Sequence, residues 1–208
     1  MFSLKQILAV LMQFISVRGL EAVAAYNITS TVSNLFKVVF LSMGNAVAIM
    51  VGQALGADRP DEAKQIVWKL MAASVASNLL MGTGLFLLSP VIPQIYNTEE
   101  HVRYLAMQML WVVAAAMPVY SIAHCCYFTL RSGGRTIITF IFDSGYTWLI
   151  CVPVAYVLAY MTSMPLVPMY LAVQALEIIK VLIGVTLVYK GVWIRNIIAG
   201  TNPEEAAC

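Results

Sequence analysis

Charge is what this sequence has least of. Of its 208 residues, 11% are Asp, Glu, Lys or Arg and 61% are hydrophobic, whereas a soluble domain carries roughly 25% charge. That deficit excludes a water-facing surface and makes the lipid bilayer the expected solvent and first partner. A net charge of +2, with no basic cluster and no aromatic-basic interleaving, excludes a nucleic-acid binder. Cys125, Cys126, Cys151 and Cys208 form no CxxC and no Cys/His metal spacing. Cys125 and Cys126 point about 100° apart on a helix, so they are read as thiols and not as a disulfide. No Ser-His-Asp, Cys-His or paired-carboxylate arrangement stands at a workable spacing, so neither an enzyme nor a cofactor is expected. No period-2 alternation persists, which excludes the strands of an outer-membrane barrel. No small-x-small cleavage site follows MFSLKQILAVLMQF, so the N-terminus is read as a short spanning helix rather than a signal peptide.

What the sequence does have is long apolar runs. A spanning helix needs about 20 mainly apolar residues, and six runs qualify as spans: 2–17, 22–55, 62–89, 100–131, 135–161 and 166–192. The expected fold is an all-α membrane lobe over 1–197 with a polar cytoplasmic tail at 198–208. Helix ends are marked by Gly56, by Asp58 as a cap with Pro60, Asp61 and Glu62 behind it, and by Pro90 and Pro93. An Asn97–Glu100 capping box starts the fourth span, Gly133 and Gly134 end it, and Pro165 and Pro168 frame the sixth. Pro118 and Pro153 fall inside helices, where they should kink them. Six spans divide the basic loop residues into two sets. Lys5, Arg59, Lys64, Lys69, Arg131, Arg135, Lys190 and Arg195 lie on one side, and Arg18 and Arg103 on the other. This bias places both termini in the cytoplasm and the protein in the cytoplasmic membrane.

Five ionisable groups fall within spans: Lys37, His124, Asp143, Glu177 and Lys180. A charge at mid-helix costs about 2.5–3.5 kcal/mol on insertion scales, so such residues usually face a bundle interior or a wet cavity. Asn27, Ser30, Asn34, Lys37, Leu41, Gly44, Ala48 and Gly52 follow steps of three and four, which lays them on one helix face. That face is polar in its first half and small in its second, as if to line a cavity and then pack closely on another helix. Lys37 either faces the cavity or snorkels to an interface. Gln174, Glu177 and Lys180 are spaced by three, so Glu177 and Lys180 can pair, either to lock helices or to serve a transport pathway. Asp143, in FIFDSGYTW, is either a site for a proton, Na⁺ or a cationic substrate, or a dipole partner near a helix end. His124, in VYSIAHCCYF, is more often a hydrogen-bonded neighbour than a proton carrier.

GLEAVAAYNITSTVSNLFKVVFLSMGNAVAIMVGQALGA at 19–57 resembles the long second helix of the C-terminal lobe of MATE (multidrug and toxic compound extrusion) transporters, with Ala24–Ala25, Gly44 and VGQALGA as the matching marks. DEAK at 61–64, LRSGGRT at 130–136 and KGVWIRN at 190–196 resemble later marks of the family in the same order. The resemblance implies a Na⁺- or H⁺-coupled antiporter that exports organic cations through a cleft between two six-helix lobes. The chain contains no second copy of GQALGA or LRSGGRT, so it is expected to be one lobe. A second lobe is its implied partner, as a missing N-terminal half or a second copy. Met1 is read as an internal start or a cut, and residues 1–17 hold no acid to match the one that some relatives carry there.

The leading expectation is therefore coupled export of cationic or amphipathic compounds, with Lys37, Asn34, Asp143, Glu177, Lys180, Gln174 and His124 as cavity residues. Methionine-rich, aromatic walls suit a site that repacks around varied substrates. Two alternatives stand beside it: a lipid-linked oligosaccharide flippase, for which Lys37 and Lys180 speak, and a non-transporting lobe that only pairs with another.

Overall fold

In a bilayer no water is available to satisfy free backbone groups, so a long apolar run closes its hydrogen bonds within itself as a helix. The computed structural model describes residue 12 and residues 15–134, 136–162 and 164–194. Within them lie α1 (Leu20–Gly56), α2 (Pro60–Leu88), a 3₁₀ turn at Ile92–Ile95 and α3 (Glu100–Ser132). Then come α4 (Thr136–Phe140), two π-helical turns at Ile141–Gly145 and Thr147–Cys151, α5 (Val152–Tyr160) and α6 (Leu166–Tyr189). The segment from α4 to α5 runs on as a single apolar span, Ile137–Tyr160, so among the described residues five helices are long and apolar enough to cross a membrane. The expected span at 2–17, the tail at 198–208, and Lys5, Arg135 and Arg195 lie almost wholly outside the described residues.

The chain alternates direction. At one end, His101 lies 3.6 Å from Glu21 and joins the starts of α3 and α1. At the same end, the Arg18 guanidinium donates to the carbonyl of Leu158 at 3.2 Å and to that of Thr162. The Leu158 carbonyl lies in the last turn of α5, where it also accepts from Thr162 Oγ1, and the Thr162 carbonyl follows the helix, so a cation there meets carbonyl oxygens at the negative end of the helix dipole. Arg18→Ala should lower stability by about 1–2 kcal/mol, read as a lower thermal unfolding midpoint in detergent; an unchanged midpoint would show the contact to be idle.

α3 is the central helix, packed on α1, α2 and α6. The approaches are made at small residues, as close packing in lipid requires. A Cβ at Gly44 of α1 would enter the Phe128 ring, one at Gly82 of α2 would lie 2.8 Å from the Ala114 carbonyl, and one at Gly184 of α6 would lie 3.0 Å from Cys126 Cβ. Ser132 Oγ donates to the Ala48 carbonyl at 3.2 Å, which ties the far ends of α3 and α1. Between α2 and α3, Ser74 and Ser121 share a buried 2.7 Å hydrogen bond. The expected small face of α1 is therefore correct at Gly44 and Ala48, but Gly52 meets open space.

Two expected helix caps differ. The N-cap of α2 is Arg59 and not Asp58, and Asp58 adopts the left-handed conformation (φ 58) just after α1, which turns the chain. The N-cap of α3 is Glu99 with no side-chain cap bond, so no Asn97–Glu100 box forms. Pro60 does start α2, and Gly133 does end α3. Pro118 stays within one continuous α3. Upstream of Pro153 the helix widens into the two π turns. Proline has no N–H and its ring crowds the carbonyl four residues back, and a π turn relieves that crowding. Cys125, Cys126 and Cys151 are free thiols, the first two buried.

Candidate functional site

α6 has a narrow inward stripe. Its buried residues are Leu166, Met169, Gly184 and Val188, and Gln174, Glu177 and Lys180 lie between them, spaced by three and leading in a step of four to Gly184. The polar groups of α6 therefore share the side that meets α3, half-buried beside the packing residues. A place on the side that meets α3 lowers the cost of holding polar groups within a span.

Across from them is the first π turn. It carries Asp143, whose Oδ1 accepts a 2.8 Å ion-pair hydrogen bond from Lys180 Nζ; the two side chains are 38% and 12% exposed. The same ammonium lies 5.6 Å from the centre of the Phe142 ring, within cation–π range. Thr147 Oγ1 donates to the Asp143 carbonyl at 2.7 Å and holds the turn, and Tyr146 O–H donates to the Leu176 carbonyl at 2.7 Å and ties it to α6. The expected pairing of Lys180 with Glu177 is thus corrected. A lysine three residues on from a glutamate can reach it, but Asp143 offers its carboxylate directly from the facing helix. Asp143 is correspondingly a partner across helices and not a dipole partner at its own helix end.

Glu177 lies within electrostatic reach of Lys180, Asp143 and Lys37, and Lys37 is half-buried on α1. Neither Glu177 nor Lys37 forms an ion pair or hydrogen bond among the described residues. His124, on α3, is within reach of Lys180, Asp143 and Lys37, with Nδ1 3.2 Å from the Tyr120 carbonyl. Gln174 Nε2 donates to the Tyr170 hydroxyl at 3.2 Å and also hydrogen-bonds Tyr120. Six of the seven expected residues therefore gather where α1, α3, the π turn and α6 meet. Asn34 does not join them: it is exposed, one turn before Lys37, and bonds nothing among the described residues. Phe142, Tyr120, Tyr146 and Tyr170 were not among the expected residues. Two of these carried a signal, since Tyr120 precedes His124 by four residues and Tyr170 precedes Gln174 by four, the spacing that stacks side chains on one helix face.

Chemically, the group is a mixed one: two carboxylates, two ammonium groups, an imidazole and amide and phenol donors. Such a set of groups offers hydrogen-bond donors and acceptors to charges of either sign. Residues 2–161 match the family described as MatE, more than half of the chain. The chain belongs to the MatE family. It is 25% identical over 184 residues to the probable multidrug resistance protein YoeA of Bacillus subtilis (strain 168), a match that covers 86% of this chain and 39% of that protein. It is 27% identical over 133 residues to multidrug and toxin extrusion protein 2 of Oryctolagus cuniculus, covering 63% of this chain and 22% of the relative. This MatE chain thus spans less than half the length of either relative. Its apolar helices and family make it an integral membrane protein.

Proposed function

We propose that this chain is the C-terminal lobe of a multidrug exporter, an antiporter in which Na⁺ or H⁺ moving inward drives cationic or amphipathic compounds out across the cytoplasmic membrane. The observation that carries the reading is the convergence of Lys37, His124, Asp143, Glu177 and Lys180 from four segments onto one half-buried place in a MatE fold. A structural role alone would call for one ion pair, and Lys180–Asp143 supplies it. The rest remain beside it at the expense of insertion energy. In a two-lobed antiporter such a group lines the cleft, and substrate and coupling ion compete for it as the cleft changes side. The partner is a second six-helix lobe, and the basic residues at the Arg59 and Arg131 ends favour cytoplasmic termini.

The flippase alternative draws on two lysines for a pyrophosphate. Lys180 is neutralised by Asp143 at 2.8 Å, which leaves one, so export is favoured. The test is efflux of ethidium from cells stripped of their own pumps, with the chain expressed alone and together with the N-terminal half of the Bacillus subtilis relative. Collapsing the Na⁺ or the H⁺ gradient separately identifies the coupling ion. Lys37→Leu should lower efflux about tenfold, the worth of one charge-assisted contact. Efflux no greater than in empty cells, in both pairings, would leave only the non-transporting lobe.

A further inference from the structure

Away from the polar site, α2 carries an open groove of about 400 Å³, lined by its Trp68, Ala72, Val75, Ala76 and Leu79 and by Ile122 of α3. The alanines hollow it: between Trp68 and Leu79 two methyl side chains stand where larger ones would fill the surface. Trp68 is 43% exposed and Leu79 53%, so a large apolar side chain bounds the hollow at each end. A bilayer does not leave such a hollow empty, because apolar walls without neighbours forfeit their dispersion contacts.

Depth and charge say what fills it. After Lys69, α2 carries no charged residue up to its end at Leu88, a length of about 30 Å that matches a hydrocarbon core of roughly 30 Å. Trp68 and Lys69 therefore stand at the membrane surface, the level that tryptophan and snorkelling lysine favour. Side chains lean toward the N-terminus of their helix, which carries the Lys69 ammonium outward to the headgroups. From Trp68 to Leu79 the groove descends about 16 Å, the depth of one leaflet. The other charges at this end of α2 are matched: Arg59 lies 3.3 Å from Glu62, and Lys64 3.0 Å from Asp61. Lys69 has no ion pair among the described residues.

We propose that this groove seats one acyl chain of an anionic phospholipid from the leaflet at the Arg59 end, with Lys69 on the phosphate and Trp68 beside the ester groups. An unmatched ammonium above an apolar hollow one leaflet deep meets a headgroup and a tail in that order. The lipid is anionic because a choline or ethanolamine headgroup would bring a second cation beside Lys69. A crossing helix fits less well: it would follow α2 through both leaflets, whereas the groove ends half-way, at Leu79. The inference is independent of what the lobe transports.

The test places the full 208-residue chain in phosphatidylcholine vesicles with rising fractions of phosphatidylglycerol brominated in the upper acyl chain, or of phosphatidylcholine brominated likewise. Bromine quenches tryptophan at close range, and the share of Trp68 among the four tryptophans is obtained by subtracting the Trp68→Phe variant. Half-maximal quenching of Trp68 should need about fivefold less phosphatidylglycerol than phosphatidylcholine, the worth of one basic side chain at an anionic membrane surface. Lys69→Gln should make the two lipids equal, and Lys69→Arg should keep the difference. Ala76→Phe fills the groove and leaves Lys69 in place, and it should also make the lipids equal; Ala76 is exposed, so the larger side chain does not disturb the core. Equal quenching in the unaltered chain, or a preference that survives Ala76→Phe, would reduce Lys69 to general surface attraction and overturn the site. No quenching by either lipid would show that a second copy or another lobe covers the groove, and would overturn it as well.

Discussion

Lys180→Met should reduce efflux to background and lower stability by about 2 kcal/mol, and adding Asp143→Leu should recover the stability without the efflux. The difference lies in what each single change leaves behind. Removing one partner of a fully enclosed ion pair typically costs about 3–5 kcal/mol, because the other charge remains buried alone. Asp143 is 38% exposed and Lys180 12%, so water reaches the carboxylate and screens part of that cost. Replacing both partners removes the stranded charge, and such double replacements are often neutral or stabilising. Efflux behaves differently. Lys180 brings its own charge and that of Asp143 to the place where Glu177 and Lys37 gather, so an apolar pair restores packing but not the polar floor of the site. The double-mutant cycle on the thermal midpoint therefore shows a large coupling, while the same cycle on ethidium efflux shows none of the recovery. Equal losses of stability in Lys180→Met and in the double variant would mean that the 2.8 Å contact is incidental.

Some of this site was legible in the residues alone, and the reason is energetic. A charge in an apolar run is expensive, so Lys37, His124, Asp143, Glu177 and Lys180 stand out in the sequence itself, and their insertion cost favours a common polar place. Helix extents were legible for a related reason: an apolar run in lipid has one way to satisfy its backbone, and the bounds of α1, α2, α3 and α6 lie within three residues of those expected. Partner choice was not legible. Glu177 and Lys180 are close along the sequence, whereas Asp143 is 37 residues from Lys180, and only the packing of α6 against the π turn chooses between them. The caps failed for a local reason: Asp58 is spent on a left-handed turn after α1, which a pattern of residue types does not reveal. Asn34 failed because a helix face about 100° wide cannot be cut finely by steps of three and four, and the residue falls just outside the edge that Lys37 occupies.

Gly133→Ala should be the most damaging small change available outside the site, by about 3 kcal/mol, at the top of the range for overpacking. The backbone itself is no obstacle, since φ at Gly133 is -77, a value alanine adopts freely. Space is the obstacle: a Cβ there would fall on the carbonyl oxygen of Trp193. A clash with a flexible side-chain tip is relieved cheaply, but this one is with backbone, and that backbone is pinned. Trp193 is 1% exposed, its Nε1 donates to the Val188 carbonyl at 3.0 Å, and the turn before it depends on Gly191 at φ 66. The segment after α6 is thus wedged against the end of α3 by one indole. Two stretches that bear the family resemblance, LRSGGRT and KGVWIRN, prove to be two sides of one contact. The consequence is strong non-additivity. Trp193→Ala alone should cost about 3–5 kcal/mol as a large buried side chain is lost. Once the indole is gone the segment is free to move off Gly133, so Gly133→Ala added to Trp193→Ala should cost little more. Thermal unfolding of the two single variants and the double in the same detergent measures this directly. Additive losses would place the clash elsewhere, and they would dissolve the link between the ends of α3 and α6 that holds this side of the lobe together.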